Sequence, residues 1–132
     1  MIRKSLGGET IEVFGEGRMR TVHYAPDLAR MVERIAGGKI PGFAALNVPG
    51  EYVAIAELAG HISACTGGTV SKGSLPADIA TIDAGNAPLD CTLFAKYFGQ
   101  PQLTPLAAAI AVTVSDARDR LRIPENAQDL GA

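Results

Sequence analysis

The sequence predicts a small mixed α/β fold, and three observations predict it. Short β-prone stretches are bounded by glycine, two longer segments carry apolar residues at helical spacing, and glycine pairs punctuate the chain between them. With 132 residues, 47% of them hydrophobic and 20% charged, the chain suits one domain with a real core. The formal net charge of −2 comes from interspersed signs, so neither nucleic acid nor an anionic membrane is an expected partner. The first eight residues carry Arg3 and Lys4 but no apolar run of the secretory kind, and the longest apolar run, 106–112, is too short to cross a bilayer. A soluble, cytoplasmic protein is expected, with Cys65 and Cys91 reduced.

Taken in order, Ile11, Val13 and Phe14 form a first short strand that Gly15 and Gly17 end, and residues 21–24 form a second. Pro26 then suits the first turn of a helix, and Asp27 suits its positive end. Leu28, Met31, Val32 and Ile35 follow at helical spacing until Gly37 and Gly38 stop it. Residues 43–48 are compactly apolar before Asn47, Pro49 and Gly50, which predicts a buried strand. The next helix is expected from about Ala54 to Thr66, with Ile55, Leu58, Ala59, Ile62 and Cys65 inward and Gly67 as its stop. Ala54 falls at its N-cap, where a hydroxyl or carboxamide would be worth about 1 kcal/mol more. Residues 69–88, rich in Gly, Ser, Ala, Asp and Pro, read as mostly loop. Asp90 can cap a short helix ending at Gly99. Thr104 and Pro105 open a last long helix whose face is Leu106, Ile110, Val114, Ala117 and Leu121. Arg118, Arg120 and Arg122 lie near its negative end, Pro124 terminates it, and residues 125–132 form a frayed tail.

Chemistry is sparse. His23 and His61 are two elements apart, and neither cysteine has a neighbouring ligand, so no metal site is expected. His61 reads as an exposed helix residue beside Glu57, and packing or a backbone hydrogen bond accounts for His23 as well as proton transfer does. Gly15-Glu16-Gly17 resembles the start of a dinucleotide fingerprint, but Arg20 stands where the third glycine belongs and a strand follows instead of a helix. There is no phosphate loop after Gly7-Gly8 and no Gly-x-Ser-x-Gly.

Four motifs, read in order, carry a family resemblance. The stretch from Gly15 through Arg18, Arg20, His23, Tyr24, Asp27 and Ala29 resembles a Gly-Asp/Glu-Gly turn, an Arg, a short strand and an Asp-Leu/Val-Ala helix start. Leu46-Asn47-Val48-Pro49-Gly50 is similar to a Tyr-Asn-Val strand and turn, and Ile55-Ala56-Glu57-Leu58-Ala59 to a Ser-Ile-x-Glu-Leu helix. Asn86 to Cys91 with Phe98-Gly99 resembles a Leu-Asp-x-Ser/Thr segment closed by Leu-Gly. Together they resemble the C-terminal, substrate-side segment of extended short-chain dehydrogenases and reductases, the NAD-dependent epimerase/dehydratase family. Within it, the nucleotide-sugar epimerases and the dTDP-4-dehydrorhamnose reductase type are the most similar. The sequence departs from the pattern at Pro26, which replaces the first of two acids, at Ala54, which replaces the capping Ser, and before Asn86, where no Arg-Pro pair stands.

The resemblance implies a small α/β substrate-binding part, residues 1–124, lacking most of the Rossmann sheet. It also implies the substrate-binding portion of an NAD(P)-dependent nucleotide-sugar enzyme. NAD or NADP belongs to the complete enzyme and is not expected on this chain alone, and the Tyr-x-x-x-Lys base of the class is missing. The implied partner is a nucleotide-sugar. Arg20 becomes the candidate phosphate contact, though by itself it reads as a solvated charge after a glycine turn. Asn47 becomes a candidate sugar-side residue, though a turn residue bonding its own backbone explains it as well. A different class stays open: a non-catalytic homodimeric interaction module, joined through uncovered strand edges. An unrelated small α/β binding domain is a third possibility, separated by topology.

Overall fold

The computed structural model describes residues 1–121 except Glu16, Pro41 and Ala84. Arg122, Pro124 and the expected tail lie outside the described residues. Among the described residues ten elements follow one another: α1 (Ile2–Leu6), β1 (Ile11–Phe14), β2 (Met19–Val22), α2 (Ala25–Gly37), β3 (Glu51–Ala54), α3 (Ile55–Thr66), β4 (Val70–Gly73), α4 (Ala77–Ile82), α5 (Thr92–Phe98) and α6 (Leu106–Leu121). The strands form two pairs. β1 and β4 run parallel, with Ile11 opposite Val70 and Phe14 opposite Gly73. β2 and β3 run antiparallel, with Arg20 opposite Val53. The architecture is therefore the small mixed α/β one that the sequence predicts.

The core follows from period. Ile11 and Val13, alternate residues of β1, are buried against Ala59 and Ile62 of α3 and Ile110 and Val114 of α6. Ile2 and Leu6 of α1 close one side. This helix was not expected from its composition. Its short length is compensated by a tie to α3, where the buried Ser5 Oγ lies 2.6 Å from Thr66 Oγ1. The left-handed Gly67, φ 76°, ends α3 at the predicted stop and returns its N–H to Ser63 O at 2.8 Å. Arg118 of α6 donates to Cys65 O at 2.8 Å, which supplies a cation to the carbonyl end of α3.

Several expectations need correction, the second strand among them, which runs from Met19 to Val22 and not over 21–24. Residues 43–48 are not a strand: no ladder bond forms there, Phe43 is 97% exposed, and the strand begins instead at Glu51, after the buried Pro49. Their composition suits a sheet, but β2 is paired by residues 51–54 and offers them no free partner on that edge. Residues 69–88 are not mostly loop, because 70–73 pair with β1 and 77–82 coil into α4. The apolar stripe of α2 is also only half covered. Met31 is buried, yet Leu28 and Val32 stay exposed.

At the start of α2, Asp27 is buried and receives the Thr104 N–H at 2.7 Å and the Thr104 hydroxyl at 2.9 Å, tying this helix to the turn before α6. Arg30, one turn on, pairs with the same carboxylate. The Thr104 backbone N–H, then its hydroxyl and the Arg30 guanidinium, outweigh desolvation and hold the Asp27 carboxyl below the usual carboxylate range. A lowered folded pKa stabilises the fold above the unfolded value near 3.8, and that contribution is lost as pH falls through the lower folded value. The thermal midpoint should accordingly drop on acidification below about pH 4, and drop less in Asp27→Asn. Parallel curves for the two proteins would remove Asp27 from this role.

Ala54 is the N-cap of α3, extended at φ −66° and ψ 136°, with no side-chain cap. The Ile55 N–H is taken by Arg18 O at 2.9 Å, and Glu57 sits at the third helical position. Ala54→Ser should raise stability by about 1 kcal/mol by capping the next free N–H groups. Thermal unfolding measures it, and an unchanged midpoint would show that those donors already have partners.

Candidate functional site

The site is built on the turn that joins β1 to β2. Arg18 N–H closes it on Gly15 O at 3.1 Å, and Gly17 takes φ 82° within it. Gly15, φ 73°, is required for a second reason: a Cβ there would stand 2.8 Å from Arg18 Cγ. The Arg18 side chain thus folds back over the turn. The turn leads into strand β2 and not into a helix of its own, so it lacks the strand-turn-helix order on which a dinucleotide pyrophosphate is held. The residues of this turn do not fit NAD or NADP.

Arg20 projects from β2 into a cluster formed with residues far along the chain. Its Nη2 donates to Asp83 Oδ1 at 2.7 Å, and its Nη1 donates to Met19 O and Gly85 O, both at 2.8 Å. Arg18 Nε meets the other carboxylate oxygen, Asp83 Oδ2, at 3.2 Å. Two guanidiniums therefore share one carboxylate, whose side chain is only 6% exposed. The Gly85 N–H at 3.0 Å, then Arg20 and Arg18, hold the Asp83 carboxyl below its ordinary value against the opposing effect of desolvation. Asn86 completes the clasp. Its Oδ1 accepts from Met19 N–H at 2.9 Å, and its Nδ2 donates to Gly17 O at 3.0 Å.

Arg18 and Asp83 were not singled out by sequence as site residues. Arg18 carried a signal in the family motif, whereas a pairing across 65 residues with Asp83 leaves none in one sequence. Arg18 is not a bystander to Arg20, since the two hold the same acid.

Asn47 belongs to a different set of contacts. It is exposed, and its Nδ2 donates to Asp90 O at 2.9 Å, pinning the segment before β3 to the approach of α5. The Thr92 hydroxyl, then its N–H at 2.9 Å, hold the Asp90 carboxyl below its ordinary value against desolvation, but Asp90 is not the cap expected of it: Cys91 is the N-cap of α5, with no side-chain cap. His23 Nε2 lies 2.9 Å from Val48 O, so a backbone hydrogen bond accounts for it. His61 lies 3.9 Å from Glu57 one turn earlier on α3. Cys65 and Cys91 are both free, and among the described residues no group of acids, histidines or cysteines is placed to hold a metal ion. No helix among the described residues is long and apolar enough to cross a membrane.

Apart from the arginine cluster, a cavity of about 420 Å³ opens between α2, α3 and α6. Its wall is largely apolar, with Val22, Met31, Leu58, Ile62, Leu106 and Ile110, and Tyr24, Asp27 and Thr104 add polar atoms. Met1 and Ile2 also line it.

No protein-family model and no curated protein matches the chain. Solved structures do. MoeE5, in complex with UDP-glucuronic acid and NAD, superposes with a TM-score of 0.73 at 24% identity, over 90% of this chain and 40% of its own. DesIV, a dTDP-glucose 4,6-dehydratase from Streptomyces venezuelae with NAD and TYD bound, gives 0.72 at 22% identity, over 89% and 37%. A partial-consensus L-threonine 3-dehydrogenase gives 0.72 at 15% identity, over 89% and 40%. The chain spans about two-fifths of the length of these neighbours. Over about two-fifths of their length the chain shares the fold of these extended short-chain dehydrogenase and reductase structures, the NAD-dependent epimerase/dehydratase fold that its motifs led us to expect.

Proposed function

We propose that the chain is the substrate-binding portion of an NAD(P)-dependent nucleotide-sugar epimerase, dehydratase or reductase, catalytically incomplete by itself. The observation that carries this reading is the Arg18 and Arg20 pair, two guanidiniums against one carboxylate, on the turn that the family motif marks. A surplus of positive charge with planar donors suits a diphosphate. Among the described residues, Nη1 and one donor of Nη2 of Arg20 are engaged, and its Nε–H is the donor proposed for a phosphate oxygen. Asn47, exposed and with its Oδ1 free to accept, is the proposed contact on the sugar side. Dinucleotide and the Tyr/Lys base belong in this reading to a nucleotide-binding half. Phe43, Leu28 and Val32 are uncovered apolar side chains that such a half could cover.

The same uncovered apolar side chains are compatible with a second reading, a non-catalytic homodimeric module. Sedimentation equilibrium combined with nucleotide-sugar titration separates the two, since a dimer indifferent to every nucleotide-sugar supports the module.

Two outcomes are expected from the first reading. Nicotinamide fluorescence titration of the 132-residue chain should show no saturable binding of NADH or NADPH, because the glycine turn opens a strand. Saturable micromolar binding would contradict it. In a chain joined to a nucleotide-binding half, Arg20→Lys should weaken nucleotide-sugar affinity by about 1.5–3 kcal/mol, the range for hydrogen bonds to charged groups. Arg34→Lys, an exposed cation whose contact is Phe98 O, should change it little. Equal small losses at both positions would return Arg20 to a surface charge.

A further inference from the structure

Helix α4 adds nothing to the apolar core, and the residues that follow it are held to the body by polar contacts. No residue of α4 is buried, and Ile79 and Ile82 are 43% and 82% exposed. Asp83, the next residue, is by contrast almost wholly covered by Arg18 and Arg20. It presents one oxygen to each guanidinium, which is the way a bridging phosphate would present two of its oxygens. We propose that Asp83 is a built-in competitor for the anionic ligand of Arg18 and Arg20, occupying the ligand's place in the free chain and leaving when a diphosphate binds. The proposal rests on the reading of Arg20 as an anion contact.

Charge gives the competitor its selectivity. Two cations and one carboxylate leave the cluster one positive charge in excess, so a monoanion that displaced Asp83 would gain no charge over it. A diphosphate, with two or more negative charges, neutralises the pair more fully and can repay the exchange. The tether makes Asp83 a strong rival, because its effective concentration is set by a short stretch of chain. Release is feasible because α4 has no buried side chain to extract, while Asn86 keeps the far end of the segment on Gly17 O and Met19 N. The cluster is thus expected to take a diphosphate-bearing ligand in preference to a carboxylate or a singly charged phosphate ester.

The test is calorimetric titration of inorganic pyrophosphate into the 132-residue chain. Asp83→Asn should bind at least about tenfold more tightly than the unaltered chain, and adding Arg20→Gln should abolish that gain. Equal affinity in the unaltered chain and Asp83→Asn, with Arg20→Gln weakening both, overturns the competitor role and leaves Arg20 as an anion contact. Affinity indifferent to Arg20→Gln, or no binding by any of the proteins, overturns the anion site itself. If Asp83→Asn does not fold, the unaltered chain decides the matter. Saturating pyrophosphate must then shift the Gly85 amide resonance, because that N–H loses its bond to Asp83 Oδ1. A fixed Gly85 resonance beside a moving Arg20 Nε–H resonance overturns the proposal.

Discussion

The arrangement depends on the parallel pairing of β1 with β4. A parallel pair cannot be closed by a hairpin, so everything between the two strands has to fit into one crossover, and here that crossover contains β2, α2, β3 and α3. Two consequences follow from the same pairing. The crossover returns α3 onto β1, where Ala59 and Ile62 cover Ile11 and Val13 and form the core with α6. Both strands also end on the same side, with Phe14 opposite Gly73, so the turn after β1 and the segment after β4 leave the sheet together. That shared exit allows Asp83 to reach Arg18 and Arg20 across more than sixty residues.

Where a segment's partner lies within the segment, the sequence was sufficient. The stops of α3 and α5 at Gly67 and Gly99, the first turn of α2 at Pro26 and the bare cap at Ala54 are local matters of backbone conformation, and each stands where composition places it. Alternation likewise marks β1 through Ile11 and Val13. Legibility fails where a partner is remote. Val70 to Gly73 have little strand character of their own and become a strand because β1 offers a parallel edge, with Ile11 N–H held by Thr69 O at 2.8 Å. The five-residue α1 is below the length at which propensity sustains a helix, and it stands on Ser5, Thr66 and the core contacts of Ile2 and Leu6. In the candidate site, Arg20 was legible from its motif, whereas the carboxylate that answers it was not. Asp83 looks like any loop acid until the fold brings it to the arginines.

Residues 43–48 show the opposite mismatch, a segment with strand composition and no strand. Leaving Phe43 97% exposed forgoes roughly the 1.5–3 kcal/mol that burying such a side chain contributes. Two side-chain bonds hold only the end nearest β3: His23 to Val48 O and Asn47 Nδ2 to Asp90 O. Neither supplies the repeated backbone pairing that fixes an extended segment along its length. On α2, Leu28 and Val32 are uncovered at a spacing of one turn, while Met31, turned toward the cavity, is buried. An irregular segment and a helix thus each leave large apolar side chains uncovered, Phe43 on the one and Leu28 and Val32 on the other. Patterning of that kind is costly for a surface that only ever faces water. Under the proposed reading, a nucleotide-binding half would cover Phe43 on the segment and Leu28 and Val32 on the helix.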